Sequence, residues 1–159
     1  MSKVRLTGGC QCGAIRYAVN AMPLNPHICH CRMCQKAFGA FYAPLAGGIL
    51  NEDLEITRGA LALFNSSDEA ERGFCSACGT PLTFRYFTSK YVAVSIGSLD
   101  DPAAVKPIVQ YGVESRVPFH DELPGLPAEA YGGDDARLEN IRRTNHQHPD
   151  HDTDRWPSN

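Results

Sequence analysis

The sequence predicts a mostly-β domain stapled together by metal. Three observations predict it. Short segments alternate apolar with polar residues and are rich in β-branched and aromatic side chains. Glycine and proline punctuate the intervals between them. Seven cysteines fall in three tight groups: Cys10 with Cys12; Cys29 with Cys31 and Cys34; Cys75 with Cys78.

The elements follow in chain order. AIRYAVN (14–20) alternates as a half-buried strand does. A short helical turn is expected after Cys31, through MCQKAF. FYAPLAGGI (41–49) is a further strand, which Pro44 pushes toward a sheet edge. LEITRGA (54–60), PLTFRYFTS (81–89) and YVAVSIGSL (91–99) read as strands, the last two joined by a tight turn near Ser89–Lys90. Beyond residue 100, Pro102, Pro107, Pro118, Pro124 and Pro127 mark loops. Asp134 or Asp135 caps a short helix through ARLENIRRTN, with Leu138 and Ile141 on one face. The last fifteen or so residues are polar, and a loosely ordered tail is expected. The expected division is a zinc-binding domain over residues 1–130, then a C-terminal short helix and polar, flexible tail over 131–159.

Composition narrows the function classes. A chain of 159 residues can bury a real core. The formal net charge of −3 argues against a general nucleic-acid binder, because neutralising phosphates needs a basic excess. No apolar run approaches the roughly 18 residues of a membrane span. The N-terminus, MSKVRLTGG, has no apolar stretch of a secretory leader, so a cytoplasmic location with reduced thiols is expected. A homo-oligomer is compatible with the sequence, which contains no coiled coil.

The cysteine count is odd, so disulfides could not use all of them. Cys75-Ser-Ala-Cys78-Gly79 places two thiolates at i and i+3, a spacing that grips one tetrahedral ion from a tight turn. Cys10-Gln-Cys12-Gly13 is a shorter hook of the same kind. Glycine after each hook permits a left-handed turn that aims backbone N–H groups at sulfur. Structural zinc takes four ligands, so the simplest pairing puts Cys10, Cys12, Cys75 and Cys78 on one ion. The competing reading of Cys75–Cys78 as a redox pair lacks the expected βαβ surroundings.

Cys29-His30-Cys31-Arg32-Met33-Cys34 packs three thiolates into six residues. Three protein ligands leave a tetrahedral ion one open position, as catalytic zinc requires. The alternative is a second closed site completed by His30, His27 or a distant residue. His30, between two ligands, is expected behind them or in the core. The tail string His146-Gln-His148-Pro-Asp150-His151 matches the metal motif of metallo-β-lactamase-like hydrolases, but only eight residues follow it. A solvated tail is the expected reading.

GGCQCGAIRY (8–17), CHCRMCQKAFGA (29–40), FCSACGTPL (74–82), GSLDDP (97–102) and VESRVPFHDELPGLP (113–127) together resemble the glutathione-dependent formaldehyde-activating enzymes, a family that includes the centromere protein V domain. The resemblance covers roughly residues 5–127. It implies a β-tent of antiparallel sheets, structural zinc on Cys10, Cys12, Cys75 and Cys78, and catalytic zinc on Cys29, Cys31 and Cys34: two ions per chain. It implies a carbon–sulfur lyase that joins glutathione and formaldehyde into S-hydroxymethylglutathione, with a small thiol and an aldehyde as its partners.

Glutathione carries carboxylates, so its pocket wants cations. Arg32, Lys36, Arg72, Arg85 and Arg116 are candidates, and Arg32 and Lys36 lie nearest the open site in sequence. Phe38, Phe41 and Tyr42 are candidate walls or plain core. Two other classes compete with the lyase. One is a non-catalytic β-tent binding module with two structural ions. The other is a thiol redox enzyme, which would need a reactive cysteine outside the metal ligands.

Overall fold

A computed structural model describes residues 4–130 and 135–155. As the alternating patterns predict, the protein is mostly β, built from two sheets and few short helices. The smaller sheet has three antiparallel strands in the order β1 (Leu6–Gly9), β2 (Arg16–Val19), β5 (Leu54–Arg58). The larger has seven. Its members are β3 (Asn25–Cys29), β4 (Ala43–Leu50), β6 (Ala62–Ser67), β7 (Ala70–Phe74), β8 (Pro81–Tyr86), β9 (Tyr91–Ser95) and β10 (Val109–Tyr111). They run β10-β3-β4-β9-β8-β7-β6 across the sheet.

Every pair in the larger sheet is antiparallel except one. β10 returns from the proline-rich segment to lie parallel to β3, with Tyr111 opposite Cys29. The β8–β9 hairpin turns where expected, held by Ser89 N–H to the Tyr86 carbonyl and by Tyr91 N–H to the Ser89 hydroxyl.

Pro44 corrects one expectation. β4 is interior, between β3 and β9. Pairing with β9 ends at Leu45 opposite Ser95, and the chain beyond Ser95 turns into a 3-10 segment at Ile96–Ser98. Nothing on that side awaits an N–H from Pro44, so the missing donor goes unnoticed.

The period-2 alternation of β4 and β9 sorts their side chains onto two faces. Ala46, Ile49, Val92 and Val94 join Tyr17 and Val19 of β2 and Leu82 of β8 in the core between the sheets. Ala43, Leu45 and Ala93 form a second cluster, on which Phe38 of the helix α1 (Arg32–Phe38) packs. Burial of this kind stabilises by about 25 cal/mol per Å² of apolar surface.

A second helix, α2 (Ala136–Thr144), starts where the capping signal placed it. The Asp135 carboxylate accepts the N–H groups of Arg137 and Leu138, while Asp134 lies outside the described residues. Leu138 is half-buried and Ile141 exposed. Within the histidine string His146 and His151 are exposed, as expected of a solvated tail, but His148 departs from that expectation at only 4% exposed, and residues 156–159 of the tail lie outside the described residues. Its N–H donates to the Gln11 carbonyl, and the following residues dock as well. Asp152 pairs with the buried Arg16, and Arg58 donates to the Thr153 carbonyl. The physical reason lies in β2 and β5, whose two arginines need acceptors that the sheet does not supply. Among the described residues, no helix is long and apolar enough to cross a membrane.

Candidate metal centres and the adjoining cavity

The first cluster forms where two hooks meet. Cys10 and Cys12 lie on the turn between β1 and β2, and Cys75 and Cys78 on the turn between β7 and β8. Their four sulfurs all lie within 4.8 Å of one another. Cys10 to Cys12 is 3.6 Å and Cys12 to Cys75 is 3.8 Å. A tetrahedral ion bound at ~2.3 Å by each sulfur needs ~3.8 Å between them, so spacing and donor chemistry both fit a thiophilic ion such as zinc.

The glycines act as the sequence foretold: Gly13 and Gly79 take φ of 76° and 79°. Their N–H groups close the turns on the carbonyls of Cys10 and Cys75. The N–H of Ile15 points at the Cys10 sulfur from 3.2 Å, and the Thr80 hydroxyl lies 3.2 Å from that of Cys78. Burial pushes the Cys10 thiol up to about 12. Burial also acts on Cys78, but hydrogen bonds from the Thr80 hydroxyl and from the Thr80 and Cys12 backbone outweigh it and bring that thiol down to about 6. Cys10 and Cys75 belong to the core between the sheets, so the cluster ties both sheets at that core.

The second cluster sits on the other face of the larger sheet. Cys29 ends β3, Cys31 caps α1, and Cys34 lies in the first turn of α1. The Cys34 N–H donates to the Cys31 sulfur at 3.4 Å, as an N-cap side chain should accept. The three sulfurs again lie within 4.8 Å of one another. Neither His27 nor His30 joins them. His30 is fully buried, its Nε2 2.8 Å from the Gln110 side chain, so the expectation of a supporting or core residue fits its position.

Arg72 of β7 reaches across from the sheet. Its guanidinium lies over the Phe84 ring at 4.8 Å and donates to the Cys34 sulfur at 3.3 Å. Burial pushes Cys29 up to about 12 and raises Cys34, although Arg72 partly offsets the latter. Burial also acts on Cys31, but the Cys34 N–H, the neighbouring thiols and the Arg72 charge together leave it below the usual thiol range. With thiols this uneven, binding a cation here releases protons.

The three cysteines open onto a cavity of about 570 Å³. Asn25, His27, Leu45, Phe84, Tyr86, Tyr91, Ala93 and Tyr111 contribute to its wall, and Arg72 and Arg85 border it. Arg32 and Lys36 do not. They are exposed on α1 and border an adjacent hollow of about 440 Å³, which shares Met33, Ser66 and Arg72 with the first. Arg85 is paired with Glu71 at 2.5 Å, and Arg116 with Asp121 at 3.3 Å, away from both cavities. Phe38 packs in the cluster under α1, Phe41 stacks edge-on against Phe119, and Tyr42 lies against His30 and His120.

Sequence reasoning missed the aromatic wall and the close approach of Gly112, just after β10, to Cys31, whose nitrogen would lie 2.8 Å from a Cβ built on Gly112. Both come from segments remote in sequence, and only the alternation of PLTFRYF carries any signal of a shared face.

A family model described as glutathione-dependent formaldehyde-activating enzyme matches residues 5–115. A crystal structure of a Rhodobacter sphaeroides protein shares the fold with a TM-score of 0.52 at 24% identity, over 65% of this chain and 98% of that one. No curated protein matches.

Proposed function

The chain belongs to the glutathione-dependent formaldehyde-activating enzyme family, and from that premise we propose that it is a zinc-dependent carbon–sulfur lyase acting on a small thiol–aldehyde adduct, S-hydroxymethylglutathione or a close analogue. One observation carries the reading. The four-sulfur cluster is complete and sits in the core, whereas the three-sulfur cluster has no fourth protein donor among the described residues and faces a cavity. Structural zinc is closed by four ligands, and catalytic zinc keeps a position free.

The reaction balances without an oxidant. In the forming direction the thiol sulfur bonds to the carbonyl carbon, the C=O π pair moves to oxygen, and the thiol proton ends on that oxygen. In the cleaving direction the C–S bond breaks, the hydroxyl proton leaves, and aldehyde and thiol separate. Cys29, Cys31 and Cys34 would hold the zinc, which would supply Lewis acidity there, lowering a thiol's pKa or polarising a carbonyl.

The chain's own residues do the rest. Arg72 holds the Cys34 sulfur with a charged donor, which favours its anionic form. Arg32 and Lys36 would meet the carboxylates of glutathione from the adjacent hollow. Glutathione and formaldehyde are the proposed substrates, the cytoplasm the proposed location. A redox role finds no support, since all seven cysteines fall in the two clusters.

The test is adduct exchange between glutathione and formaldehyde, followed by NMR with the zinc-loaded protein. Acceleration well above the spontaneous rate is expected, and exchange at background overturns the activity. X-ray absorption should find a non-protein ligand at the second metal. Four protein ligands there would favour a non-catalytic binding module.

A further inference from the structure

We infer that the cavity beside the three-cysteine site selects an uncharged, ring-sized substituent on the aldehyde carbon, so that adducts of aromatic aldehydes are better substrates than the formaldehyde adduct. This rests on the lyase reading and specifies its substrate class.

The first argument is size. Formaldehyde is scarcely larger than a water molecule, whose share of liquid volume is about 30 Å³. The cavity holds about 570 Å³, within the roughly 300–1,000 Å³ range of pockets for drug-sized ligands. With the thiol half drawn to the adjacent hollow by Arg32 and Lys36, a site serving only the smallest aldehyde would leave most of this space to water.

The second argument is the wall. Phe84 and Tyr86 meet edge to face with ring centroids 5.0 Å apart, and Tyr91 and Tyr111 also border the space. Leu45 and Ala93 line it from the sheet face. Such a wall gains most from a flat apolar guest, through offset or edge contacts with the rings in addition to burial.

The third argument is charge. The two arginines bordering the cavity are both engaged. Arg72 is bound to the Cys34 sulfur and the Phe84 ring, and Arg85 to Glu71. A carboxylate on the aldehyde carbon would enter a largely apolar space in which both guanidiniums already serve an acceptor or a ring, and would lose hydration there. A neutral ring carries no such cost. Carboxylates on the thiol half can stay outside, where Arg32 and Lys36 border the adjacent hollow.

The test uses the zinc-loaded full chain and an uncharged thiol, 2-mercaptoethanol, so that only the aldehyde varies. Exchange is measured with benzaldehyde, formaldehyde and glyoxylate, each corrected for its spontaneous rate. Benzaldehyde is expected to exceed formaldehyde at least tenfold in kcat/KM, with glyoxylate slowest. Calorimetry with phenylmethanol gives a readout independent of turnover. It should bind the wild type, and Tyr86→Ala, an exposed position, should weaken it about tenfold. Catalysed exchange that is no faster with benzaldehyde than with formaldehyde overturns this inference and leaves the lyase reading intact. Phenylmethanol binding that responds to Tyr86→Ala, without catalysed exchange of any aldehyde, upholds the cavity's preference and overturns the lyase reading. Unchanged phenylmethanol binding in Tyr86→Ala overturns the assignment of the wall.

Discussion

Gly112 stands against the backbone of Cys31. A Cβ built on Gly112 would lie 2.8 Å from the Cys31 nitrogen and 3.2 Å from its Cβ, and Gly112 has φ of +63°. The adjacent β10 brings this contact about, since Tyr111 pairs with Cys29 and accepts the His30 N–H at 2.8 Å. The end of β10 thus presses directly on the three-cysteine segment. Gly112→Ala must both strain its backbone and push Cys31 away. We expect a stability loss of about 1–3 kcal/mol. Loss of the second metal should come before loss of the first, as chelator competition with two resolved phases would show. Retention of two equally firm ions would contradict the contact's importance.

The two clusters should respond differently to losing one sulfur. Cys75 is buried in the core between the sheets, so Cys75→Ser leaves a broken closed site there. A cost of several kcal/mol is expected, because binding energy at a structural ion is folding energy. Cys31 is half-buried at a cavity mouth, so Cys31→Ser should abolish adduct exchange while the fold largely survives. Thermal melts and metal counts on both variants check this. Equal unfolding of the two would mean that the division of roles is wrong.

Arg72→Met keeps length and apolar contact with Phe84 but removes the donor to the Cys34 sulfur. A hydrogen bond to a charged group contributes about 1.5–3 kcal/mol. The second ion should therefore bind roughly 10–100-fold more weakly, with the four-cysteine ion unaffected. Competition against a chromophoric chelator measures both.

Arg16 is buried between two carboxylates, Asp100 at 2.7 Å and Asp152 at 2.8 Å. Burial alone would raise Asp100, but hydrogen bonds from Arg16 and Thr7 and the Arg16 charge overcome it and hold Asp100 below the usual carboxylate range. A depressed folded-state pKa contributes stability that is fully present above the unfolded value of about 3.9 and is lost as pH falls through the folded value. Asp100→Asn should thus cost about 1–3 kcal/mol at pH 7 and show a shallower loss of stability below about pH 4 than the wild type. Urea titrations across pH test it, and parallel pH profiles would count against the pairing.

Several features were readable because they are local. The glycine after each cysteine hook, the cap of α2 by Asp135 and the β8–β9 turn depend on residues a few positions apart, and each formed as its spacing required. The grouping into four and three sulfurs was also legible, since ligand number constrains which hooks combine. Proximity in sequence misled where direction mattered. Arg32 and Lys36 neighbour the three cysteines along the chain, yet α1 carries them to the adjacent hollow. The cation on sulfur is Arg72, 38 positions from Cys34.

The sequence by itself determined the two sulfur clusters, because turn geometry and thiolate chemistry act within a few residues. The tertiary structure alone decided what surrounds them. It placed the parallel strand that seats Gly112 on Cys31, the aromatic wall from β8, β9 and β10, and the tail residues that satisfy Arg16 and Arg58. Those arrangements depend on strand register and on which buried charge finds which partner. Both are settled by packing among segments far apart in the chain, and no short window of sequence encodes them.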